Sequence, residues 1–224
     1  NADRAIGSGS PGGKASATGN AVMSAAQRAQ SGQVSSAEQQ AIDQAIEAGV
    51  ALHRRDLLED AERLYAGILK LAPGHFDAMH LLGVVRQQRG DGEGALKLIG
   101  AALELNAASA DAYSNHGKVL LQMRRFDEAL VSIERALTLA PDHPQALINR
   151  ATIRIEKQQF VDAMADANRV LEKDPDSIDG WTKRGNILAA LGESEQALAS
   201  FSKALAINPD HIEALNNFSC LLGD

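Results

Sequence analysis

Pro141, Pro175 and Pro209 stand 34 residues apart, and Pro73 lies two such intervals before the first. The same interval orders Ala61, Ala95, Ala129, Ala163 and Ala197. It also orders a column of small residues: Gly49, Gly83, Gly117, Ala151, Gly185 and Ser219. A period of this size marks a stacked repeat, in which each unit buries its apolar face only against its neighbours. Such a chain offers a long open surface rather than an enclosed pocket, so binding is the first function to expect.

From about residue 36 each unit reads as helix, tight turn, helix. The proline column sets units at 42–75, 76–109, 110–143, 144–177 and 178–211, with a partial unit at 212–224. Tyr113, His116, Gly117 and Leu120 recur at the spacing of one helical face. Gly90 and Gly192 fall where a first helix must stop, a place that favours left-handed glycine. Glu59, Glu93, Asp127 and Glu195 recur where the second helix begins and meet its positive dipole end. The second helix then carries the alanine column, followed by Tyr65, Ile99, Ile133, Ala167 and Phe201, and proline closes it. A glycine inside a helix costs about 1 kcal/mol against alanine. Retaining three of them in one column, Gly83, Gly117 and Gly185, implies a steric need. Facing the alanine column, they would let paired helices approach closely.

Before the repeats, residues 1–34 are rich in Gly, Ser and Ala and read as a flexible segment, with the repeat domain at 35–224. Ser35 and Glu38 have the spacing of a capping box for the first firm helix. The chain begins with Asn1 and its last unit stops after one helix, so it is expected to be part of something longer.

Composition narrows the function further. The net charge is −7, and since Asp3, Arg4, Lys14 and Arg28 are the only charges before residue 36, the repeats carry −9. An acidic body argues against nucleic acid and against an anionic membrane surface as partners. No apolar run approaches the roughly 18 residues of a membrane span. The single Cys220 permits no internal disulfide or cysteine-based metal site and fits a reducing compartment, so a cytoplasmic location is the expectation.

The columns resemble the tetratricopeptide repeat (TPR) family. Trp181, Gly185, Ala197, Phe201, Ala204 and Pro209 match its pattern fully, and Tyr113, Gly117, Ala129, Ile133, Ala136 and Pro141 nearly do. Departures occur too. Ala107 replaces a proline, Arg86 occupies an apolar column, and His116, Arg150 and Arg184 stand where the family usually has leucine. These are expected to loosen local packing without threatening the fold. The resemblance implies an all-α, right-handed TPR solenoid whose inner wall is lined by first helices and binds peptide segments.

By the same resemblance the groove-lining residues would be Asp77, His80, Asp111, Ser114, Asn115, Lys118, Asn149, Thr152, Lys183, Asn186, Asn216 and Asn217. Asn115, Asn149 and Asn217 form a column with Lys183 in the intervening place. An asparagine amide offers two donors and an acceptor, so such a column can pair with the backbone of an extended peptide. The segment from Asp111 to Gly117 resembles repeats of the O-linked N-acetylglucosamine transferase superhelix. The leading expectation is a non-catalytic module for a protein or peptide partner. The rivals are the substrate-recruiting part of a larger glycosyltransferase of that type, and a self-assembling scaffold. For the last, Ile212, Leu215, Phe218 and Leu222 form an apolar stripe on the final helix.

No catalytic residue, cofactor or metal site is expected. His75, His143 and His211 fall in separate inter-repeat turns, too dispersed to share one ion. His80 and His116 lie on adjacent first helices, but a catalytic role would need an orienting partner and a nucleophile, for which Ser114 is only near in sequence.

Overall fold

The structure is a computed structural model and describes residues 35–223. The flexible segment expected over 1–34 lies outside them. Eleven helices and no strand occur among the described residues. They are α1 Ser36–Arg54, α2 Leu58–Leu71, α3 Phe76–Gln88, α4 Gly92–Leu105, α5 Ala110–Gln122, α6 Phe126–Leu139, α7 Pro144–Glu156, α8 Phe160–Lys173, α9 Ile178–Ala190, α10 Ser194–Ile207 and α11 Ile212–Gly223. Consecutive helices pack as pairs, and each pair packs on the next, giving an all-α solenoid.

Local chemistry sets the boundaries. The Ser35 hydroxyl accepts from the Glu38 N–H while the Glu38 carboxylate accepts from the Ser35 N–H, so the capping box forms as the sequence suggests. The three residues between paired helices close the first helix with a left-handed residue. The N–H after it reaches back to the last turn, as from Asp91 to Arg86 O at 2.9 Å. Gly90 and Gly192 hold φ of 86° and 78° at this place. Asp56, Arg124 and Gln158 adopt the same conformation at φ near 60°. There the repeat imposes on an ordinary side chain what glycine accepts freely.

His75, His143 and His211 are more than turn residues. Each is the N-cap of the next first helix, with Nδ1 accepting from the N–H of Ala78, Ala146 or Ala214 at 3.2–3.3 Å. Ser109 and Ser177 do the same with hydroxyls. A ring nitrogen carrying a lone pair can replace the usual cap oxygen, a substitution that propensity rules for N-caps do not list.

The small-residue column has a different partner from the one the sequence suggests. A Cβ at Gly49, Gly83, Gly117 or Gly185 would lie 2.4–2.6 Å from a side-chain carbon of Tyr65, Ile99, Ile133 or Phe201. The glycines thus face the large column, and only the backbone oxygens of Ala95 and Ala129 approach from the alanine column. In the fourth pair, Ala151 accompanies Ala167, so both members of the contact change size together.

The polar departures do not loosen the packing, because each has a polar partner, and for His116, Arg150 and Arg184 it stands 16 residues on. His116 Nδ1 lies 2.9 Å from Ser132 Oγ, and Arg184 donates to Ser200 Oγ at 2.8 Å. Arg150 grips Asp166 with two nitrogens at 3.0 and 2.7 Å, and Arg154 adds a third contact at 2.6 Å. Glu134 accepts from Arg150 on the far side. Arg86 reaches back to Glu62 on α2 and forward to Asp91. Buried polar groups are costly unless paired, and here both members of each pair are polar at once.

Candidate binding site

The first helices of the pairs (α1, α3, α5, α7, α9 and α11) touch one another in order along the stack. Their outward rows therefore join into one continuous face. Asp77, Asp111 and Asn216 are exposed on it, while His80, Asn115, Lys118, Thr152, Lys183, Asn186 and Asn217 are half-buried. Two residues assigned to the groove from sequence are instead enclosed: Ser114 at 1% and Asn149 at 4% exposure. The Ser114 hydroxyl has no hydrogen-bond partner. Close approach of adjacent first helices covers both.

The polar row is stitched from pair to pair. Asn115 Nδ2 lies 2.9 Å from His80 Nε2. The Asn149 amide donates to Ser114 O at 3.4 Å and accepts from Gln145 at 3.5 Å. Asn217 donates to Asn186 Oδ1 at 2.7 Å. Lys183 and Asn186 both donate to Glu213 Oε1, at 2.7 and 2.9 Å. Asp111 accepts from His143 Nε2 at 2.9 Å, so the cap of α7 is also a link to α5. The hydroxyl of Thr152 is turned onto Ile148 O of its own helix. Among the described residues Lys118 makes no ion pair. The sequence places the amides in one column. It does not show that each already holds its neighbour, because those bonds depend on the rotation between pairs.

Charge follows these contacts. Burial opposes ionisation of Glu213, but the Lys183 ammonium and the Asn186 amide hold its carboxyl below the ordinary value. Burial pushes the His80 ring below its usual 6.5, against the opposing pull of Asp111 and Asp77. His116 is lowered mainly by burial and further by Arg125. In both cases the folded chain keeps the ring neutral where the unfolded chain would take a proton. The unfolded state then binds more protons, and stability falls as pH drops below about 6.5. We expect the urea midpoint to drop between about pH 7.5 and about pH 5.5, and His80→Asn with His116→Asn to flatten that slope. An unchanged slope in the double variant would remove these rings as its source.

Among the described residues no group of three His, Cys, Asp or Glu side chains could hold a metal ion, and no helix is long and apolar enough to cross a membrane.

A stack of short antiparallel helix hairpins with a polar row along one side defines a helical-repeat scaffold. Residues 120–187 and 178–211 match family models described as tetratricopeptide repeat, so this part of the chain is built from repeats of that family. Solved structures share the fold. TTC0263, a thermophilic TPR protein in Thermus thermophilus, is 17% identical, with 82% of this chain and 100% of that chain covered and a TM-score of 0.73. The pilF protein of Pseudomonas aeruginosa is 20% identical, with 83% and 84% covered and a TM-score of 0.70. YrrB, a TPR protein with an unusual peptide-binding site, is 24% identical, with 80% and 95% covered and a TM-score of 0.56. No curated protein matches the chain.

Proposed function

We propose that this chain is a non-catalytic interaction module that binds an extended peptide or protein segment along the face of its first helices. The observation that supports this most is the amide row of Asn115, Asn186 and Asn217, half-buried and held in place by bonds between pairs. Side chains fixed in this way lose little further freedom on binding, which favours affinity. YrrB, which shares the fold, is described as having a peptide-binding site. Asn149 takes part as the enclosed member that ties α7 to α5.

The test is a random-peptide phage selection on the folded chain, followed by calorimetry with the selected peptides. We expect Asn115→Ala and Asn217→Ala each to weaken binding by about 1 kcal/mol, the net worth of a hydrogen bond. The loss should be similar across peptides of different sequence, because the backbone is what an amide row reads. Loss for one peptide only, or none for either variant, would count against the reading.

A second reading, association between copies through α11, is favoured by the exposure of Ile212 at 73% and Leu222 at 64%. The apolar stripe is narrower than the sequence suggests. Phe218 packs onto the core with Ala214 and Leu221, while Ile212, Leu215 and Leu222 face outward. We expect light scattering to show mass rising with concentration, and Leu215→Lys with Leu222→Lys to remove the rise. A constant monomer mass would eliminate this reading.

A further inference from the structure

His80 on α3 and Asn115 on α5 meet across the boundary between two repeats, through His80 Nε2 and Asn115 Nδ2 at 2.9 Å. An amide nitrogen only donates. For this contact to be a hydrogen bond, His80 Nε2 must carry a lone pair, so the ring is neutral with its proton on Nδ1. With its nitrogen committed to His80, Asn115 has its oxygen left to offer as an acceptor. A proton on Nε2 reverses this. The ring then donates, two donors face each other, and the amide is relieved by a half-turn that brings its oxygen to the ring and frees its N–H groups.

The surroundings act on the ring in opposite directions. His80 is half-buried, with the Phe76 ring tilted beside it at 5.8 Å between centroids. The charges that bear on the ring are Asp77 on its own helix and Asp111 on α5. Asp111 is tied in turn to His143 at the start of α7. Of the other helices packed on α3, namely α1, α2 and α4, none brings a charge that acts on it. Burial favours the neutral ring, and the two carboxylates favour the charged one.

We propose that His80 is a positioning residue that sets which end of the Asn115 amide is offered to a bound segment. Neutral His80 leaves the oxygen free to accept a backbone N–H, and protonated His80 turns the amide and leaves its N–H groups free instead. This rests on the first-helix face being the binding face. It adds that the face reads acceptor or donor at this point according to pH.

The orientation can be read on the free, full chain by NMR, from the two-bond nitrogen pattern of the His80 ring and the side-chain amide signals of Asn115. The expected result is the Nδ1–H tautomer at about pH 7.5. The Asn115 amide signals should shift along the same titration curve as the ring, and His80→Ala should abolish their pH dependence. An Nε2–H tautomer at neutral pH would overturn the proposal, as would Asn115 signals that stay still while the ring titrates. A merely structural His80 would not tie the amide signal to the ring titration. In a second arm, a phage-selected peptide that needs Asn115 is titrated with the chain by calorimetry. We expect its affinity to fall about fivefold on acidification, the worth of one net hydrogen bond, and to become pH-independent in His80→Ala. Unchanged affinity across the titration in the wild-type chain would overturn the link to binding. Because the ring and amide are read without ligand, a face that takes no peptide would defeat the binding reading while the spectra still decide the switch.

Discussion

Replacing Asp166 with alanine is expected to lower the unfolding free energy by about 3–5 kcal/mol, the cost of breaking a buried ion pair by removing one partner. The carboxylate is 4% exposed and accepts from both Arg150 and Arg154, whose side chains are 15% and 22% exposed. Removing it leaves two half-enclosed guanidinium groups, with Glu134 as the remaining carboxylate partner of Arg150. Burial works against the Arg150 charge, and the bonds from Asp166 and Glu134 outweigh it, holding the guanidinium above its ordinary value. Leu82 and Leu98 occupy the corresponding places two repeats earlier and pack together in an apolar cluster. Arg150→Leu with Asp166→Leu should therefore recover most of the loss, since a well-packed apolar pair often equals or exceeds a buried ion pair. Urea unfolding of the single and double variants measures both. A cost under about 1 kcal/mol for Asp166→Ala would mean that water already serves these groups.

Gly117→Leu should cost about 3 kcal/mol or more through overpacking. A Cβ at Gly117 would lie 2.5 Å from Ile133 Cγ1 and 3.2 Å from Ala129 O, both fully enclosed, so neither can retreat into solvent. The smaller change Gly117→Ala meets the same first contact. Combined with Ile133→Ala it copies the Ala151–Ala167 arrangement of the fourth pair. The double variant should be less destabilised than the sum of the two single changes, a coupling that a thermodynamic cycle isolates. Additive effects would show that the two positions do not touch.

These two sites mark where reading the sequence alone works and where it stops. Periodicity is local, and it places Gly117, Ala129 and Ile133 in columns with no knowledge of the third dimension. It cannot say which column faces which, because that depends on how the second helix is rotated against the first. The alanine column looked like the natural partner by size, but it is the Ile133 side chain that fills the space glycine leaves. The arginines read as faults for the same reason. Arg150 departs from an apolar column, and its compensation at Asp166 becomes visible only when the two helices are brought together.

The first-helix face divides in the same way. The spacing of Asn115, Asn149 and Asn217 puts them in one row, since a fixed interval in a regular stack is a fixed place on its surface. Whether a member of that row meets solvent is set by the gap between adjacent first helices. That gap leaves Asn115 half-open and covers Asn149 and Ser114. The bonds from Asn115 to His80, from Lys183 to Glu213 and from His143 to Asp111 cross between repeats. Their donors and acceptors stand about one repeat apart in the chain, where no helical periodicity brings them together. The repeat unit, its helices and its capping box were decided by the sequence, because each depends on contacts within a few residues or on strict recurrence. The partners across the helix pairs, the histidine caps and the accessible part of the polar row were decided by the tertiary structure, because rotation and separation between packed helices are not written in any single stretch of chain.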